Sequence, residues 1–168
     1  MGGGAASKVE ALLNPRSVAI LGARENPMDW TARIFANYQR FEFDGPVWPV
    51  NPRFKEIWGV PCYADLSDLP GVPDHLVVMR AAASVRGILR EAADMGTRSA
   101  TVYAAGYSEL GTEEGIALEE ELRSVIDETG LAVCGPNCLG SMSARGRSLC
   151  LPDDRIRELV QGPVAMVG

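Results

Sequence analysis

The stretch SVAIL, residues 17–21, is an unbroken apolar run after its first serine. A strand with one face in water alternates apolar and polar residues, whereas a parallel strand covered on both faces is apolar throughout. We therefore predict that this run is a central strand of a parallel sheet. Four further runs predict strands of the same sheet: PVWPV (46–50), HLVVM (75–79), SATVYA (99–104) and LAVCG (131–135).

Helical periodicity fills the intervals between these runs. Three helices are predicted, at residues 30–41, 84–96 and 112–129. Ser84 is the expected N-cap of the second helix, and a short helical turn is predicted at 65–69. Strands that alternate with helices predict an α/β protein, a Rossmann-like doubly wound parallel sheet in three layers and a single domain, with right-handed crossovers.

The two ends of the chain are predicted to lie outside this domain. Residues 1–11 are expected to be a flexible leader, and residues 12–150 form the Rossmann-like domain. A short helix is predicted at 153–160, and GPVAMVG (162–168) has the character of a new strand. We interpret residues 151–168 as the start of a truncated following domain, and the chain as the front part of a longer polypeptide.

Composition and charge exclude several classes of partner. The 168-residue chain has a formal net charge of -6, so it has no general attraction for nucleic acids or anionic membranes, and a bound anion needs a local site. No apolar run reaches the roughly 20 residues that span a bilayer, and there is no secretory signal, so we expect a cytoplasmic protein. The four cysteines and one histidine lack the spacing of a zinc site, so no metal is expected.

The loops that follow the strands are the candidate binding sites, because ligands of such sheets bind beyond the carboxyl ends of the strands. The first loop carries Gly22, Ala23 and Arg24 and opens a helix, whose N-terminus can hold a phosphate. Of the dinucleotide fingerprint only Gly22 is present. Asp29 is the expected N-cap, and it would repel a phosphate unless Arg24 or Arg33 offsets its charge. A capped helix after a tight turn, without a ligand, also fits this pattern.

The second loop, VNPRF, places Asn51 and Arg53 where an NAD site normally has an acidic residue. An asparagine and an arginine instead suit a phosphate on a ribose. That phosphate could belong to NADP or be the 3′-phosphate of coenzyme A. An exposed turn arginine without a ligand is the alternative.

Five motifs, taken in order, resemble one known family: LLNPRSVAILGA (12–23), GPVWPVNPR (45–53), GVPCYADLSDLP (59–70), AAGYSELG (104–111) and GPNCLG (135–140). Together they are similar to the N-terminal coenzyme A-binding domain of NDP-forming acyl-CoA synthetases, relatives of the succinyl-CoA synthetase alpha subunit. The resemblance runs from residue 12 to residue 168. It implies that residues 12–150 bind CoA and that the remaining domains or subunits of a synthetase are partners.

The same resemblance implies a path for the ligand. The phosphates and adenosine would lie near the first two loops, and the pantetheine arm would run past AAGYSELG toward GPNCLG. The residues assigned to CoA are Gly22, Ala23, Arg24, Asn51, Arg53, Ala81, Gly106, Tyr107, Asn137 and Cys138. None is assigned to catalysis, because the family's phosphorylated histidine lies in a domain that this sequence lacks. The chain would therefore bind CoA but would not by itself convert acid, CoA and nucleoside triphosphate into acyl-CoA, nucleoside diphosphate and phosphate.

Cys138 is expected to line the channel beside the CoA thiol as a small polarizable wall. A nucleophilic cysteine needs a base, and the single histidine, His75, lies at the start of a predicted interior strand. Trp30 departs from the family pattern, and we expect it to narrow the phosphate site, to stack on adenine or to cover the helix start. Two other functions remain open: an NADP-binding domain of an oxidoreductase, and a stand-alone regulatory CoA-binding protein. Association into a homo-oligomer is also left open.

Overall fold

The computed structural model describes residues 5–162. The helices are α1 (Ala5–Leu13), α2 (Trp30–Arg40), α3 (Ala82–Met95) and α4 (Glu113–Thr129), with short 3-10 turns at Leu66–Asp68 and Ser108–Leu110. The strands are β1 (Val18–Leu21), β2 (Val47–Val50), β3 (Glu56–Ile57), β4 (Val60–Pro61), β5 (His75–Val78), β6 (Ser99–Val102), β7 (Ala132–Cys134), β8 (Ser141–Ser143) and β9 (Ser148–Cys150). None of the helices in this part of the chain combines the length and the apolar character needed to cross a bilayer.

Five of the strands form one parallel sheet in the order β2-β1-β5-β6-β7. Leu21 at the end of β1 is in register with Val50 on one side and with Val78 on the other, so the carboxyl ends of the central strands are level. All five predicted strands are confirmed, and so is the Rossmann-like doubly wound fold.

Both faces of this sheet are covered by helices. Val18, Ile20 and Val77 pack against Ile34, Phe35 and Tyr38 of α2. Ala19, Leu21, Leu76 and Val78 pack against α3 and α4 through Val85, Leu89, Leu122 and Val125. A fully buried side chain of this size contributes about 1.5–3 kcal/mol, so these two cores account for the apolar strands. The predicted three layers are confirmed.

The ends of the helices follow local capping. Asp29 caps α2 by accepting a hydrogen bond from Thr31 N, and Thr112 caps α4 by accepting one from Gly115 N. The prediction that Ser84 is an N-cap is wrong, because α3 begins at Ala82 and its N-cap is Ala81. Ser84 lies within its first turn, where its hydroxyl donates to Ala81 O over 2.7 Å.

The N-terminal residues correct the prediction of a flexible leader. Residues 5–13 form α1, a segment of good helix formers whose Ala11 is buried. The Ser99 hydroxyl donates to Ala11 O over 2.7 Å, which ties this helix to β6. Residues 1–4 lie outside the described residues.

The predicted helix at 153–160 is also wrong, because residues 151–162 contain no helix. Side chains of α2 bind carbonyl oxygens in this segment and just before it. Asn37 Nδ2 donates to Leu151 O (2.7 Å) and Asp153 O (3.0 Å), and Arg40 Nη1 donates to Asp154 O over 3.1 Å. The strand predicted in GPVAMVG falls on residues 163–168, which lie outside the described residues.

Two hairpins were not predicted. One joins β3 to β4 through Trp58 and Gly59, which both have positive φ, of 56° and 77°. This pair of left-handed residues is the geometry of a type I′ turn, which rarely places a tryptophan there. The other pairs β8 with β9 and packs against α2, where Tyr38 Oη lies 3.2 Å from Ser148 Oγ.

His75 lies at the start of β5 and is 1% exposed. Its Nδ1 is 2.8 Å from Ser99 Oγ, and its Nε2 is 3.1 Å from Thr101 Oγ1. Because the Ser99 hydroxyl proton is donated to Ala11 O, Nδ1 carries the ring proton and Nε2 accepts from Thr101. Burial lowers the pKa of His75 from 6.5 to about 4, so the ring is neutral in the folded protein.

This neutral ring makes stability depend on pH. Between pH 6.5 and pH 4 the unfolded chain binds a proton at His75 that the folded chain does not, so the stabilisation present above pH 6.5 is lost as the pH falls. We expect this group to remove about 2 kcal/mol from the free energy of unfolding between pH 7 and pH 5. Urea titrations at several pH values measure the slope, and His75→Gln should flatten it. An equal slope in both proteins would contradict this account.

Candidate ligand-binding site

The loops after β1, β2, β5 and β6 surround an open cavity of about 1120 Å³. The cavity lies at the point where the winding of the sheet reverses, because β1 is flanked by β2 on one side and by β5 on the other. This switch point is the usual ligand site of doubly wound sheets. The lining residues are Gly22, Arg24, Asn26, Met28, Asp29, Trp30, Asn51, Pro52, Arg53, Phe54, Met79, Arg80, Ala81, Tyr103 and Ala104.

Gly22 forms the floor of the first loop. Its φ of +88° is in the left-handed region, and its N–H donates to Val50 O over 3.0 Å. A Cβ at this position would lie 2.3 Å from Met79 O. Glycine is therefore required both by the backbone conformation and by the close approach of the end of β5.

Asn51 joins the first two loops. Its Nδ2 donates to Ala23 O over 2.7 Å, and its Oδ1 accepts from Arg53 N over 3.0 Å. The indole of Trp58, on the β3–β4 hairpin, donates to Arg24 O over 3.0 Å. Asn51 therefore positions the two loops around the cavity, with its amide already engaged at both ends.

Three guanidinium groups and one carboxylate surround the cavity. Arg24 Nη1 lies 3.8 Å from Asp29 Oδ2, so the charge of the helix N-cap has a cationic neighbour, as the sequence required for a phosphate site. Within residues 5–162, neither Arg53 nor Arg80 has a carboxylate at ion-pair distance. The cavity therefore carries a local excess of positive charge in a protein of net charge -6.

Two aromatic rings, those of Trp30 and Tyr103, form part of the cavity wall. Trp30 is 43% exposed, and its ring meets that of Tyr103 edge to face, with centroids 6.1 Å apart. The Tyr103 hydroxyl donates to Cys150 O and is buried, which raises the pKa of Tyr103. Trp30 thus offers an accessible apolar face beside the arginines, while Tyr103 is fixed behind it.

Gly106, Asn137 and Cys138 lie at the same edge of the sheet, beside the cavity. The Asn137 N–H donates to Ala104 O over 2.9 Å, and Cys138 Sγ lies 3.5 Å from Val102 O. These contacts hold the GPNCLG turn against the end of β6, whose next residues line the cavity. Gly106 has φ of +108°, and its N–H donates to Glu109 Oε1 over 2.7 Å.

Two of the predicted site residues place their side chains elsewhere. Ala23 is fully buried and packs with Ile57 and Cys62. The ring of Tyr107 is buried in the core between the sheet, α3 and α4, and burial raises the pKa of Tyr107 to about 12. Both residues lie in strand-end loops, but their side chains point into the protein because the loops need apolar anchors. Neither residue lines the cavity.

Sequence reasoning missed Arg80, Tyr103 and the hairpin that carries Trp58. Arg80 directly follows the predicted strand 75–79, so a cation placed straight after a predicted strand was the signal that could have found it. Tyr103 lay inside a predicted strand, and only the end of β6 at Val102 places it on the rim. The hairpin had no recognisable turn sequence.

Comparison with known proteins gives a consistent picture. The CoA binding domain family matches residues 16–144. Over 133 residues the chain is 35% identical to a trans-feruloyl-CoA synthase of an unknown prokaryotic organism. The match covers 79% of this chain and 19% of the synthase. It is 32% identical over 135 residues to the alpha subunit of the ADP-forming acetate–CoA ligase II of Pyrococcus furiosus, covering 80% of this chain and 29% of the subunit.

Solved structures agree with these sequence relatives. The dinucleotide forming acetyl-coenzyme A synthetase 1 of Ca. Korarchaeum cryptofilum, in complex with phosphate and ADP, superposes with a TM-score of 0.78 at 32% identity. The match covers 86% of this chain and 30% of the synthetase. The chain therefore spans less than a third of each of these three proteins.

The close approach at Gly22 generates a stability prediction. Gly22→Ala should destabilise the protein by roughly 3 kcal/mol, because the new methyl adds a clash with Met79 O to the strain of a positive φ. Gly59→Ala is the matched control, since Gly59 has φ of +77° but open space around it, and it should cost only about 1 kcal/mol. Urea unfolding of both variants measures the difference. Equal losses would show that the contact with β5 carries no constraint.

Proposed function

The chain belongs to the CoA binding domain family, and we propose that it binds coenzyme A in the cavity beyond the carboxyl ends of β1, β2, β5 and β6. It is homologous to the alpha-subunit region of ADP-forming acyl-CoA synthetases and covers only that domain. The observation that carries the proposal is the local positive charge of the cavity, from Arg24, Arg53 and Arg80, in an acidic protein. An anionic ligand is the group that such a site attracts.

The charges of coenzyme A suit this arrangement. The ligand carries a diphosphate and a 3′-phosphate, and a guanidinium binds phosphate through charge-assisted hydrogen bonds. Arg53 and Arg80 have no carboxylate partner in the described part of the chain, so both are free to bind phosphate. Asp29 is the unfavourable group, and its pairing with Arg24 reduces the repulsion. Trp30 presents an apolar face on which an adenine ring can stack.

The pantetheine arm is proposed to leave the cavity past Tyr103 and Ala104 toward the GPNCLG turn. Asn137 is exposed, so its amide is available as donor and acceptor for the amides of the arm. Cys138 is half-buried beside it and would form part of the channel wall near the CoA thiol. His75 cannot serve Cys138 as a base in this arrangement, because its ring is buried at the opposite end of β5 and bonded to Ser99 and Thr101.

In the proposed context the chain supplies the CoA site of an acyl-CoA synthetase. Other domains or subunits would carry the nucleotide site and the phosphorylated histidine of the reaction of acid, CoA and nucleoside triphosphate. The relatives support this class of reaction, since they include a feruloyl-CoA synthase and acetate–CoA ligases. No residue of this chain is proposed to be catalytic.

Calorimetric titration with three ligands tests the proposed function. Coenzyme A should bind, dephospho-CoA should bind more weakly because it lacks the 3′-phosphate, and NADP should bind least. A preference for NADP would overturn the proposal in favour of an oxidoreductase domain. Equal affinity for coenzyme A and dephospho-CoA would show that the second loop does not bind the 3′-phosphate.

Arg53 is expected to bind the 3′-phosphate. Arg53→Ala should weaken the binding of coenzyme A by about 1.5–3 kcal/mol, because a charge-assisted hydrogen bond is lost. The same variant should bind dephospho-CoA as the parent protein does, because the contact is absent in both cases. Arg98→Ala is the matched control, since Arg98 precedes β6 at the opposite end of the sheet and changes the net charge equally. An unchanged dissociation constant for coenzyme A in Arg53→Ala would contradict the assignment.

A further inference from the structure

Two cysteines lie next to each other at the edge of the sheet. Cys134 ends β7, and the turn that follows brings Cys138 back to it, so that the two Sγ atoms are 3.9 Å apart. Cys138 Sγ is also 3.7 Å from Cys134 O. Both thiols are free and half-buried, whereas Cys62 and Cys150 are buried.

The fold holds this pair together. Gly135 and Asn137 both have positive φ, of 104° and 50°, which reverses the chain directly after the strand. A Cβ on Gly135 would lie 2.3 Å from Val102 O, so the turn is packed tightly against β6. The Asn137 N–H donates to Ala104 O over 2.9 Å and fixes its other side. The proximity of the thiols is therefore imposed by the backbone.

The environments of the two thiols are unequal. The Cys134 S–H donates to Cys138 Sγ. Hydrogen bonding with Cys138 lowers the pKa of Cys134 from 9.0 to about 7. The same interaction and burial raise the pKa of Cys138. Since the thiolate is the nucleophile, Cys134 is the thiol that reacts first at neutral pH.

We propose that Cys134 and Cys138 are a peroxide-sensitive dithiol that closes to an intramolecular disulfide. The Cys134 thiolate attacks one oxygen of hydrogen peroxide, the O–O bond breaks, and a sulfenic acid and hydroxide form. The Cys138 sulfur then attacks Cys134 Sγ, the S–O bond breaks, and hydroxide leaves. The proton of each original thiol ends in water, so two thiols and one peroxide give one disulfide and two waters.

Closure needs only local movement. The sulfurs are 3.9 Å apart, and a disulfide holds them at about 2.0 Å. The other cysteines are not expected to compete. Burial raises the pKa of Cys62 and raises that of Cys150 to about 11, so both remain protonated thiols away from solvent. The proposal does not depend on which ligand the cavity binds.

Mass spectrometry of the purified chain tests the proposal without any substitution. The protein is treated with equimolar hydrogen peroxide, its free thiols are alkylated under denaturing conditions, and it is digested with trypsin. Peptide 124–145, which contains both cysteines, should carry no alkyl group. Its mass should be lower by two hydrogens than that of the reduced, unalkylated peptide. Dithiothreitol should restore two alkylation sites. Retention of both alkyl groups in peptide 124–145 after this treatment would overturn the proposal.

Single variants assign the two roles. Cys138→Ser should leave a sulfenic acid on Cys134 that dimedone traps, whereas Cys134→Ser should react many times more slowly with peroxide. Cys62→Ala is the matched control and should form the disulfide at the rate of the parent protein. A disulfide in the parent protein that links Cys134 to a second chain, seen as a dimer on non-reducing gels, would also count against the proposal.

Discussion

The hydrogen bonding of β1 on both sides is the constraint on which the site depends. β1 pairs with β2 and with β5, and the helices that follow β1 and β5 therefore cover opposite faces of the sheet. The loops that leave these strands diverge and open a gap between them. At Gly22 the first loop donates to Val50 O while its α-carbon lies against Met79 O, so one residue contacts the ends of both neighbouring strands.

The cavity also shows a compromise between helix stability and anion binding. Asp29 accepts from Thr31 N over 2.9 Å, and an N-cap of this type is worth about 1 kcal/mol. The cost is a carboxylate in a site proposed for phosphates. Arg24 lies 3.8 Å away and is held by its own backbone, whose N–H donates to Thr31 Oγ1 and whose carbonyl accepts from Trp58. Arg24, which is positioned by the start of α2, thus offsets the charge of Asp29.

The sequence was sufficient for the central sheet because strands covered on both faces must be apolar, and runs such as 17–21 and 75–79 have few other structures open to them. It also predicted that Gly22 and Arg53 lie in the loops after the first two strands, and both residues line the cavity there. Prediction from the sequence failed where tertiary contacts determine the local structure. Residues 153–160 have a helical pattern, yet Asn37 and Arg40 bind carbonyl oxygens there. Tyr107 lay in a predicted ligand loop, and its burial depends on the packing of α4, which no local pattern reports.

The rim of the sheet joins the proposed cofactor site to the dithiol through β6. Val102 ends this strand, and its carbonyl lies 3.5 Å from Cys138 Sγ. The next residue, Tyr103, packs on Trp30 in the cavity wall and donates to Cys150 O. Ala104 lines the cavity and accepts from Asn137 N. Val102 therefore contacts the GPNCLG turn, Tyr103 lines the cavity, and Ala104 does both. Because packed backbone transmits displacement, a change in the turn has a short physical route to the cavity wall.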